Sequence, residues 1–284
     1  MELISPSFHD LFQPTIEIRR YPDSDSYVRI PELSKCKNTS VTVYHRLYPE
    51  QDSSLLQTLF ILEELKKVHA SVTLVAPYLP YARQDKVFLE GEVKSAEMIC
   101  NLLFDAGCKK LITFDCHFLK KEGLFTYGRL PIQNISMNDT LIAHAKKVFK
   151  DESFEIISPD EGAKYMVAES GGQSMKKTRG DYHDEQGGEV VYREVEKLEG
   201  KFNFKNKNVL ILDDIISTGS TMILALEKVK ASGAKSVACA ATHGFFLKDS
   251  LAKLRTSADF VFVTNSIVSP VSEVSIMDKI KTFE

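Results

Sequence analysis

The stretch "NVLILDDIISTGSTMILALEKVKASG", residues 208–233, contains an apolar run, a short polar loop and an amphipathic segment in direct succession. The apolar run predicts a buried parallel strand, and residues 220–233 have the apolar spacing of a helix. Two acids, Asp213 and Asp214, stand where the apolar run ends. Because open α/β sheets bind ligands at the carboxyl ends of their strands, this junction is the first candidate site.

The loop after the two acids predicts a phosphate cradle. Backbone N–H groups at a helix N-terminus converge on one spot, and the helix dipole favours an anion there. Hydroxyl groups, and a glycine that allows close approach, are supplied by Thr218, Gly219, Ser220 and Thr221. Ionised Asp213 and Asp214 only accept hydrogen bonds, which suits two vicinal sugar hydroxyls. A phosphate beside a cis-diol describes ribose 5-phosphate; the alternative is an acid-capped turn without a ligand.

The same strand–helix alternation runs along the whole chain. Short runs rich in β-branched residues, such as "VTVYH" (41–45), "VTLVA" (72–76) and "LITFD" (111–115), predict parallel strands. Longer segments with helical spacing lie between them, for example residues 53–68. The alternation occurs on both sides of residue 138 and predicts an α/β fold with two doubly wound domains, 1–138 and 139–284.

Composition narrows the classes of partner. The chain has 284 residues, of which 43% are hydrophobic, and its net charge of −3 gives no bulk attraction to nucleic acid or an anionic membrane. No apolar run has the length of a membrane span, and the N-terminus lacks the pattern of a signal peptide. The five cysteines form no CxxC pair, which favours reduced thiols and a cytoplasmic location.

Residues 208–222 resemble the phosphoribosyl-pyrophosphate signature, which phosphoribosyltransferases share with the ribose-phosphate diphosphokinases (phosphoribosyl pyrophosphate synthetases). Further segments resemble the diphosphokinase family alone, namely "YPDSD" (21–25), "YARQD" (81–85), "TFDCHF" (113–118), "ISPDEGAKYM" (157–166) and "KKTR" (176–179). Each segment has an ordinary structural explanation, but their joint occurrence in family order favours the family, in its short archaeal type. The resemblance implies two phosphoribosyltransferase-type domains with mainly parallel sheets.

The resemblance also implies roles for individual residues. The residues for ATP binding are Tyr21, Asp23, Ser24, Asp25, Arg83, Gln84 and His117. The catalytic residues are Lys177 and Arg179, on a mobile loop. Ribose 5-phosphate would be bound by Arg179, Asp213, Asp214, Ser217, Thr218, Gly219, Ser220 and Thr221. His117 and Asp160 would be ligands of Mg²⁺. The sequence departs from the family in the adenine-binding loop, residues 21–25, where Ser24 replaces a glycine and Asp25 a longer acid. It also departs at Ser217 and Ser220 in the phosphate cradle.

The implied activity is transfer of the diphosphoryl group of ATP to the C1 hydroxyl of ribose 5-phosphate. The products would be 5-phosphoribosyl 1-pyrophosphate and AMP. Two alternatives stay open, a phosphoribosyltransferase and a non-catalytic regulatory subunit of a synthetase. The resemblance further implies a homo-oligomer, at least a dimer, in which a neighbouring subunit contributes residues 21–25 to each active site.

Overall fold

A computed structural model of the chain describes residues 1–179, 195–199, 202–280 and 282, and it describes the backbone alone for 177–179 and 195–199. The chain divides into two compact units. The first unit comprises Met1–Ser136 together with the C-terminal segment from Met277, and the second comprises Met137–Ile276. The predicted domain ranges, 1–138 and 139–284, stay a prediction; the units described here differ in grouping the last segment with the first unit.

The first unit is built on a six-stranded sheet of strand order β1-β4-β5-β6-β8-β7. Its elements are β1 (Glu2–Ile4), β2 (Glu17–Arg20), β3 (Ser26–Arg29), β4 (Ser40–Tyr44), α1 (Gln51–Lys67), β5 (Ser71–Val75), α2 (Ser95–Asp105), β6 (Cys108–Phe114), β7 (Gly123–Tyr127) and β8 (Leu130–Ile135). The strands pair in parallel except for β7, which is antiparallel to β8. Strands β2 and β3 form a separate antiparallel ribbon.

The second unit has a six-stranded sheet of order β10-β9-β13-β14-β15-β16, in which every pair is parallel. Its elements are α3 (Asn138–Val148), β9 (Phe154–Ser158), α4 (Lys164–Ala168), β10 (Gln173–Ser174), β11 (Lys176–Arg179), β12 (Val195–Glu199), β13 (Asn208–Ile216), α5 (Ser220–Ala231), β14 (Ser236–Gly244), α6 (Ser250–Ser257), β15 (Phe260–Thr264) and β16 (Ser272–Val274). Strands β11 and β12 pair antiparallel outside this sheet. The last helix, α7 (Met277–Ile280), follows β16.

Each sheet is covered by helices that bury one apolar face. In α1 the buried residues include Leu55, Ile61, Leu62 and Leu65, whose spacing places them on one side of the helix. In the second unit β13 lies between β9 and β14, and its residues 208–212 are all buried. A strand covered on both faces reads as a continuous apolar run, which is the pattern of "NVLIL". The predicted α/β class with mainly parallel sheets is confirmed.

No helix in the described part of the chain is both long enough and apolar enough to span a membrane.

Candidate active site

The two acids of the 208–233 stretch lie inside the carboxyl-terminal part of β13. Asp213 is partly buried and pairs in register with Ala241 of β14, whereas Asp214 is only 5% exposed. The two carboxyl groups lie close enough for a side-chain hydrogen bond between them. The Asp214 N–H donates to Asp213 Oδ1 at 2.9 Å, which fixes the orientation of the Asp213 carboxylate.

A negative electrostatic environment surrounds Asp213. Its pKa is raised well above the ordinary value, first by burial and then by the negative charges of Asp214 and Asp160. Three carboxylates are therefore close enough to disfavour one another when all are ionised. Hydroxyl donors or a bound cation would relieve that repulsion.

The loop from Ser217 to Gly219 connects β13 to α5. Gly219 has a φ of +76°, in the left-handed region where glycine carries no steric penalty, and it immediately precedes the helix. The Thr218 and Ser220 hydroxyls lie 3.2 Å apart, and the Ile223 N–H donates to the Gly219 carbonyl at 2.8 Å. The backbone N–H groups at a helix N-terminus converge on one spot, and the helix dipole favours an anion there.

Asp160 occupies the turn after β9, the strand beside β13. Its Oδ1 accepts a hydrogen bond from the Ala163 N–H at 3.2 Å, so it caps the short 3₁₀ turn Glu161–Ala163. A Cβ on Gly162 would lie 2.9 Å from the same Oδ1, so this orientation of the carboxylate requires glycine at 162. Asp160, Asp213 and the 217–221 loop thus belong to the carboxyl ends of adjacent parallel strands.

Lys177 and Arg179 lie in β11, which pairs with β12 so that Lys177 is opposite Leu198 and Arg179 is opposite Val195. The predicted mobile loop comprises residues 171–188. The side chains of Lys177 and Arg179 and the rest of that loop, residues 180–188, lie outside the described residues. Their proposed catalytic role stays a prediction.

In the first unit, His117 lies in a tight turn after β6. Asp115, at the start of this turn, is 1% exposed and has a φ of +33°, and its N–H donates to the Ile135 carbonyl at 2.9 Å. The Cys116 N–H donates to Asn134 Oδ1 at 2.8 Å. Both bonds are made to the neighbouring strand β8 and hold the turn in place, and they leave His117 partly exposed.

Arg83 and Gln84 lie in a turn after β5, the strand beside β6. Tyr81 adopts a left-handed φ of +63°, and its carbonyl accepts the Gln84 N–H at 2.8 Å. The Tyr81 phenol is hydrogen-bonded to Asp52 in the first turn of α1. Asp52 carries no motif, so sequence inspection alone did not identify it as part of this site. The turns holding Arg83 and His117 follow adjacent strands and share one edge of the sheet.

Residues Tyr21, Asp23, Ser24 and Asp25 form the tip of the β2–β3 ribbon. The Tyr21 N–H donates to the Asp25 carbonyl at 2.9 Å, and Ser24 has a φ of +76°. Left-handed backbone favours glycine, so Ser24, at which this chain departs from the family it resembles, carries a conformational cost. Tyr21 is 53% exposed, so the ribbon presents its tip to solvent.

Comparisons with known proteins agree over both units. The model of a family described as the N-terminal domain of ribose phosphate pyrophosphokinase matches residues 10–107. A second model, the phosphoribosyl transferase domain, matches residues 173–275. A ribose-phosphate pyrophosphokinase from Sulfurisphaera tokodaii is 34% identical, with 93% of this chain and 88% of that protein covered. The Pyrococcus furiosus protein of the same name is also 34% identical, covering 93% and 90%.

The fold comparison agrees with the sequence comparison. A crystal structure of phosphoribosylpyrophosphate synthetase from Mycobacterium smegmatis has a TM-score of 0.80 with 23% identity, and it covers 100% of this chain and 96% of that chain. The sequence identity to the curated relatives, over almost the whole length, shows that this chain belongs to the ribose-phosphate pyrophosphokinase family.

Proposed function

We propose that the protein transfers the diphosphoryl group of ATP to the C1 hydroxyl of ribose 5-phosphate, giving 5-phosphoribosyl 1-pyrophosphate and AMP. The observation that carries the proposal is the family relationship over both units, combined with the acid pair and phosphate-type loop at the end of β13. In the reaction the C1 oxygen forms a bond to the β-phosphorus and loses its proton. The bond between the β-phosphorus and the α,β-bridging oxygen breaks, and AMP leaves with the electron pair.

In the second unit, the sugar phosphate would bind along the end of β13. Asp213 and Asp214 accept hydrogen bonds from the ribose hydroxyls, and residues 217–221 donate to the 5-phosphate. The partly buried position of Asp213 and the position of the loop at the N-terminus of α5 support these roles. Bound hydroxyl donors also reduce the repulsion that raises the Asp213 pKa.

In the first unit, ATP would bind at the turns after β5 and β6. Arg83, Gln84 and His117 contact the nucleotide, and Tyr21, Asp23, Ser24 and Asp25 are contributed by a neighbouring subunit of a homo-oligomer. The exposed tip of the β2–β3 ribbon supports that contribution.

Lys177 and Arg179, in the second unit, stabilise the charge that develops on the transferring group, since phosphoryl transfer depends mainly on alignment and charge neutralisation.

Magnesium fits the donor set of this chain. Among the described residues, no group of three or more His, Cys, Asp or Glu side chains could hold a metal by itself. Mg²⁺ ordinarily keeps several waters and binds through one or two carboxylates together with substrate phosphates. In the second unit Asp160 would hold a Mg²⁺ ion directly, and in the first unit His117 would hold one through its imidazole or through a metal-bound water. When bound, Mg²⁺ neutralises triphosphate charge.

The alternative of a phosphoribosyltransferase is less well supported. It accounts for the domain match over residues 173–275 and leaves the match over residues 10–107 without a role. The alternative of a non-catalytic subunit is disfavoured because Lys177, Arg179 and Asp213 are all present. The free, buried cysteines are compatible with the proposed cytoplasmic location.

Phosphorus NMR of the purified protein with ATP, Mg²⁺ and ribose 5-phosphate tests the proposal. We expect AMP and a diphosphoryl group on C1, and no AMP when the sugar phosphate is omitted. Formation of ADP, or AMP release that does not depend on the sugar, would contradict the proposed reaction. Consumption of 5-phosphoribosyl 1-pyrophosphate with a nucleobase, without any ATP reaction, would favour the phosphoribosyltransferase.

A further inference from the structure

Two consecutive backbone carbonyl groups, those of Ile216 and Ser217, accept hydrogen bonds from the segment that leads into α6. The Ile216 carbonyl accepts the Phe245 N–H at 2.9 Å. The Ser217 carbonyl accepts two donors, the Leu247 N–H at 3.1 Å and the Ser250 hydroxyl at 3.3 Å. Ser250 is 2% exposed and is the first residue of α6, so its hydroxyl is directed at the loop from a fixed helix.

The orientation of one peptide unit follows from these bonds. The peptide between Ser217 and Thr218 is trans and planar, so its carbonyl and its N–H point in opposite directions. Holding the Ser217 carbonyl against α6 therefore directs the Thr218 N–H away from α6. Within the described part of the chain this N–H has no acceptor, which leaves it available to a ligand.

Packing at Gly219 restricts the loop further. A Cβ on Gly219 would lie 3.1 Å from the Ser250 Cβ and 3.7 Å from Leu254 Cδ1. The loop therefore lies directly on the first turn of α6, and it has little room to rotate the 217–218 peptide without losing its contacts. Ser250 packs against Gly219 and donates one of the two hydrogen bonds to the Ser217 carbonyl.

We propose that Ser250 is a positioning residue, which orients the Thr218 amide for the 5-phosphate group of ribose 5-phosphate. The inference rests on the proposed function of the loop. Ser250 itself does not touch the substrate. It acts through the Ser217 carbonyl, and its loss leaves the Leu247 N–H as the remaining donor to that oxygen.

Calorimetric titration of Ser250→Ala with ribose 5-phosphate tests the inference. The substitution removes the donor and leaves the volume nearly unchanged. A net neutral hydrogen bond contributes about 1 kcal/mol, so we expect the Kd for ribose 5-phosphate to rise about three- to tenfold. The KM for ribose 5-phosphate should rise in parallel, with kcat and the KM for ATP within about twofold of the wild type. Ser250→Cys, whose thiol is a weak donor, should behave like the alanine variant.

Ser232→Ala is the matched control. The Ser232 hydroxyl donates to the Val229 carbonyl at 2.7 Å, at the opposite end of α5, so its removal costs a bond of the same kind. We expect a comparable loss of thermal stability and an unchanged Kd for ribose 5-phosphate.

Two outcomes would overturn the inference. Wild-type affinity in both Ser250 variants would show that Ser250 only stabilises the fold. Failure of the wild-type protein itself to bind ribose 5-phosphate would overturn the proposed function, and this inference with it. Binding by the wild type without AMP formation would overturn the proposed reaction alone, because the calorimetric comparison does not require turnover.

Discussion

The phenol of Tyr81 is hydrogen-bonded to the carboxylate of Asp52, which connects the turn carrying Arg83 and Gln84 to the first turn of α1. The hydrogen bond to Asp52, followed by burial and the charge of Asp52, raises the pKa of Tyr81 to about 12. A raised tyrosine pKa means that this stabilisation is fully present below the ordinary value of about 10 and is lost as pH rises through about 12. The contact is therefore intact at every pH used to assay such an enzyme.

We expect Tyr81→Phe to loosen that turn. Because the hydrogen bond lies near the surface, the KM for ATP should rise only about two- to fivefold, with the KM for ribose 5-phosphate unchanged. Steady-state kinetics with each substrate varied in turn provides the measurement. The control is Tyr44→Phe. The Tyr44 hydroxyl also donates to a carboxylate, that of Glu2, at 3.2 Å, but Glu2 lies in the outermost strand β1. Equal effects on the two KM values would contradict a local role for Tyr81.

The acid cluster around Asp213 predicts opposite effects on stability and on binding. Asp213→Asn removes one of three mutually repelling carboxylates, so the ligand-free protein should have a higher melting temperature at neutral pH. The same change removes charge-assisted hydrogen bonds to the sugar, each worth roughly 1.5–3 kcal/mol, so ribose 5-phosphate should bind at least tenfold more weakly.

Differential scanning calorimetry and titration calorimetry measure these two effects of Asp213→Asn. Glu155→Gln, which breaks the 2.7 Å ion pair with Lys207 elsewhere in the second unit, serves as the control for loss of one negative charge. A lower melting temperature together with unchanged sugar binding would refute the diol role.

His45 is held neutral by a directional set of hydrogen bonds. Its Nε2 lies 3.2 Å from the Ser54 carbonyl, which can only accept, so Nε2 carries the proton. Its Nδ1 then accepts from the Ser5 hydroxyl at 2.8 Å. Ser5 in turn lies 2.7 Å from the Ser7 hydroxyl, which accepts the Arg46 N–H at 2.8 Å. Protonation of His45 at Nδ1 would place an N–H donor against the Ser5 hydroxyl, which itself donates to Nδ1 in the neutral form.

This arrangement predicts an acid limit of stability. Burial lowers the pKa of His45 from 6.5 to about 4, an effect that the Ser54 hydrogen bond only partly opposes. The unfolded chain binds a proton at His45 below pH 6.5 and the folded chain does not until about pH 4, so stability falls as pH decreases through that window. The contribution over the whole window is on the order of 3 kcal/mol.

Urea unfolding at several pH values between 4 and 7 measures that loss. We expect His45→Gln to flatten the slope of the free energy of unfolding against pH, whereas His9→Gln, at an exposed position, should leave the slope as in the wild type. A His45→Gln slope as steep as the wild type would exclude His45 as the group responsible.

Lys177 is proposed to act on the transition state. If its ammonium stabilises mainly the transferring diphosphoryl group, Lys177→Ala should lower kcat by about 10²- to 10³-fold with little change in either KM. Stopped-flow or quenched single-turnover measurements separate the chemical step from product release. A loss confined to KM would make Lys177 a binding residue. Lys176→Ala, one position earlier in β11, is the neighbouring control.

Local patterns predicted the elements that lie next to each other in the chain. The strand β13, the 217–219 loop and α5 are continuous in sequence, and each has its own signal in apolar spacing or small residues. The ribbon of β2 and β3 lacks such a signal, because its residues are partly or fully exposed and polar side chains occur on both faces. Strands β7 and β8 also lack a clear strand signal, because Gly123 lies in β7 and Pro131 lies in β8.

Contacts between distant positions could not be predicted from the sequence. Asp52 and Tyr81 are 29 residues apart, and Ser217 and Ser250 are 33 residues apart, so each contact exists only after the sheet is assembled. A serine or aspartate near a helix start has an ordinary capping explanation, and nothing in "KDSLAK" distinguishes Ser250 from such a residue.

The last prediction concerns the proposed sharing of each active site between two subunits. Tyr21, Asp23 and Asp25 lie on an exposed ribbon tip in the first unit, and Lys177 lies in the second. Asp23→Ala and Lys177→Ala should each be nearly inactive alone. In a mixed oligomer, a shared site is intact when its own subunit retains Lys177 and the neighbouring subunit retains Asp23. Random reassortment of equal amounts in a closed symmetric oligomer then restores about a quarter of the sites.

Mixing the two purified variants under conditions of subunit exchange, with exchange verified by mass labelling, provides the measurement. A site made within one chain recovers no activity, because every chain carries one lesion. A mixture of Lys177→Ala with Arg179→Ala is the matched control: both changes affect the same strand, so it should stay inactive in either case. Recovered activity in the first mixture alone would show that residues 21–25 and the strand with Lys177 come from different subunits at each site. No activity in either mixture, with exchange demonstrated, would mean that each chain builds its own site.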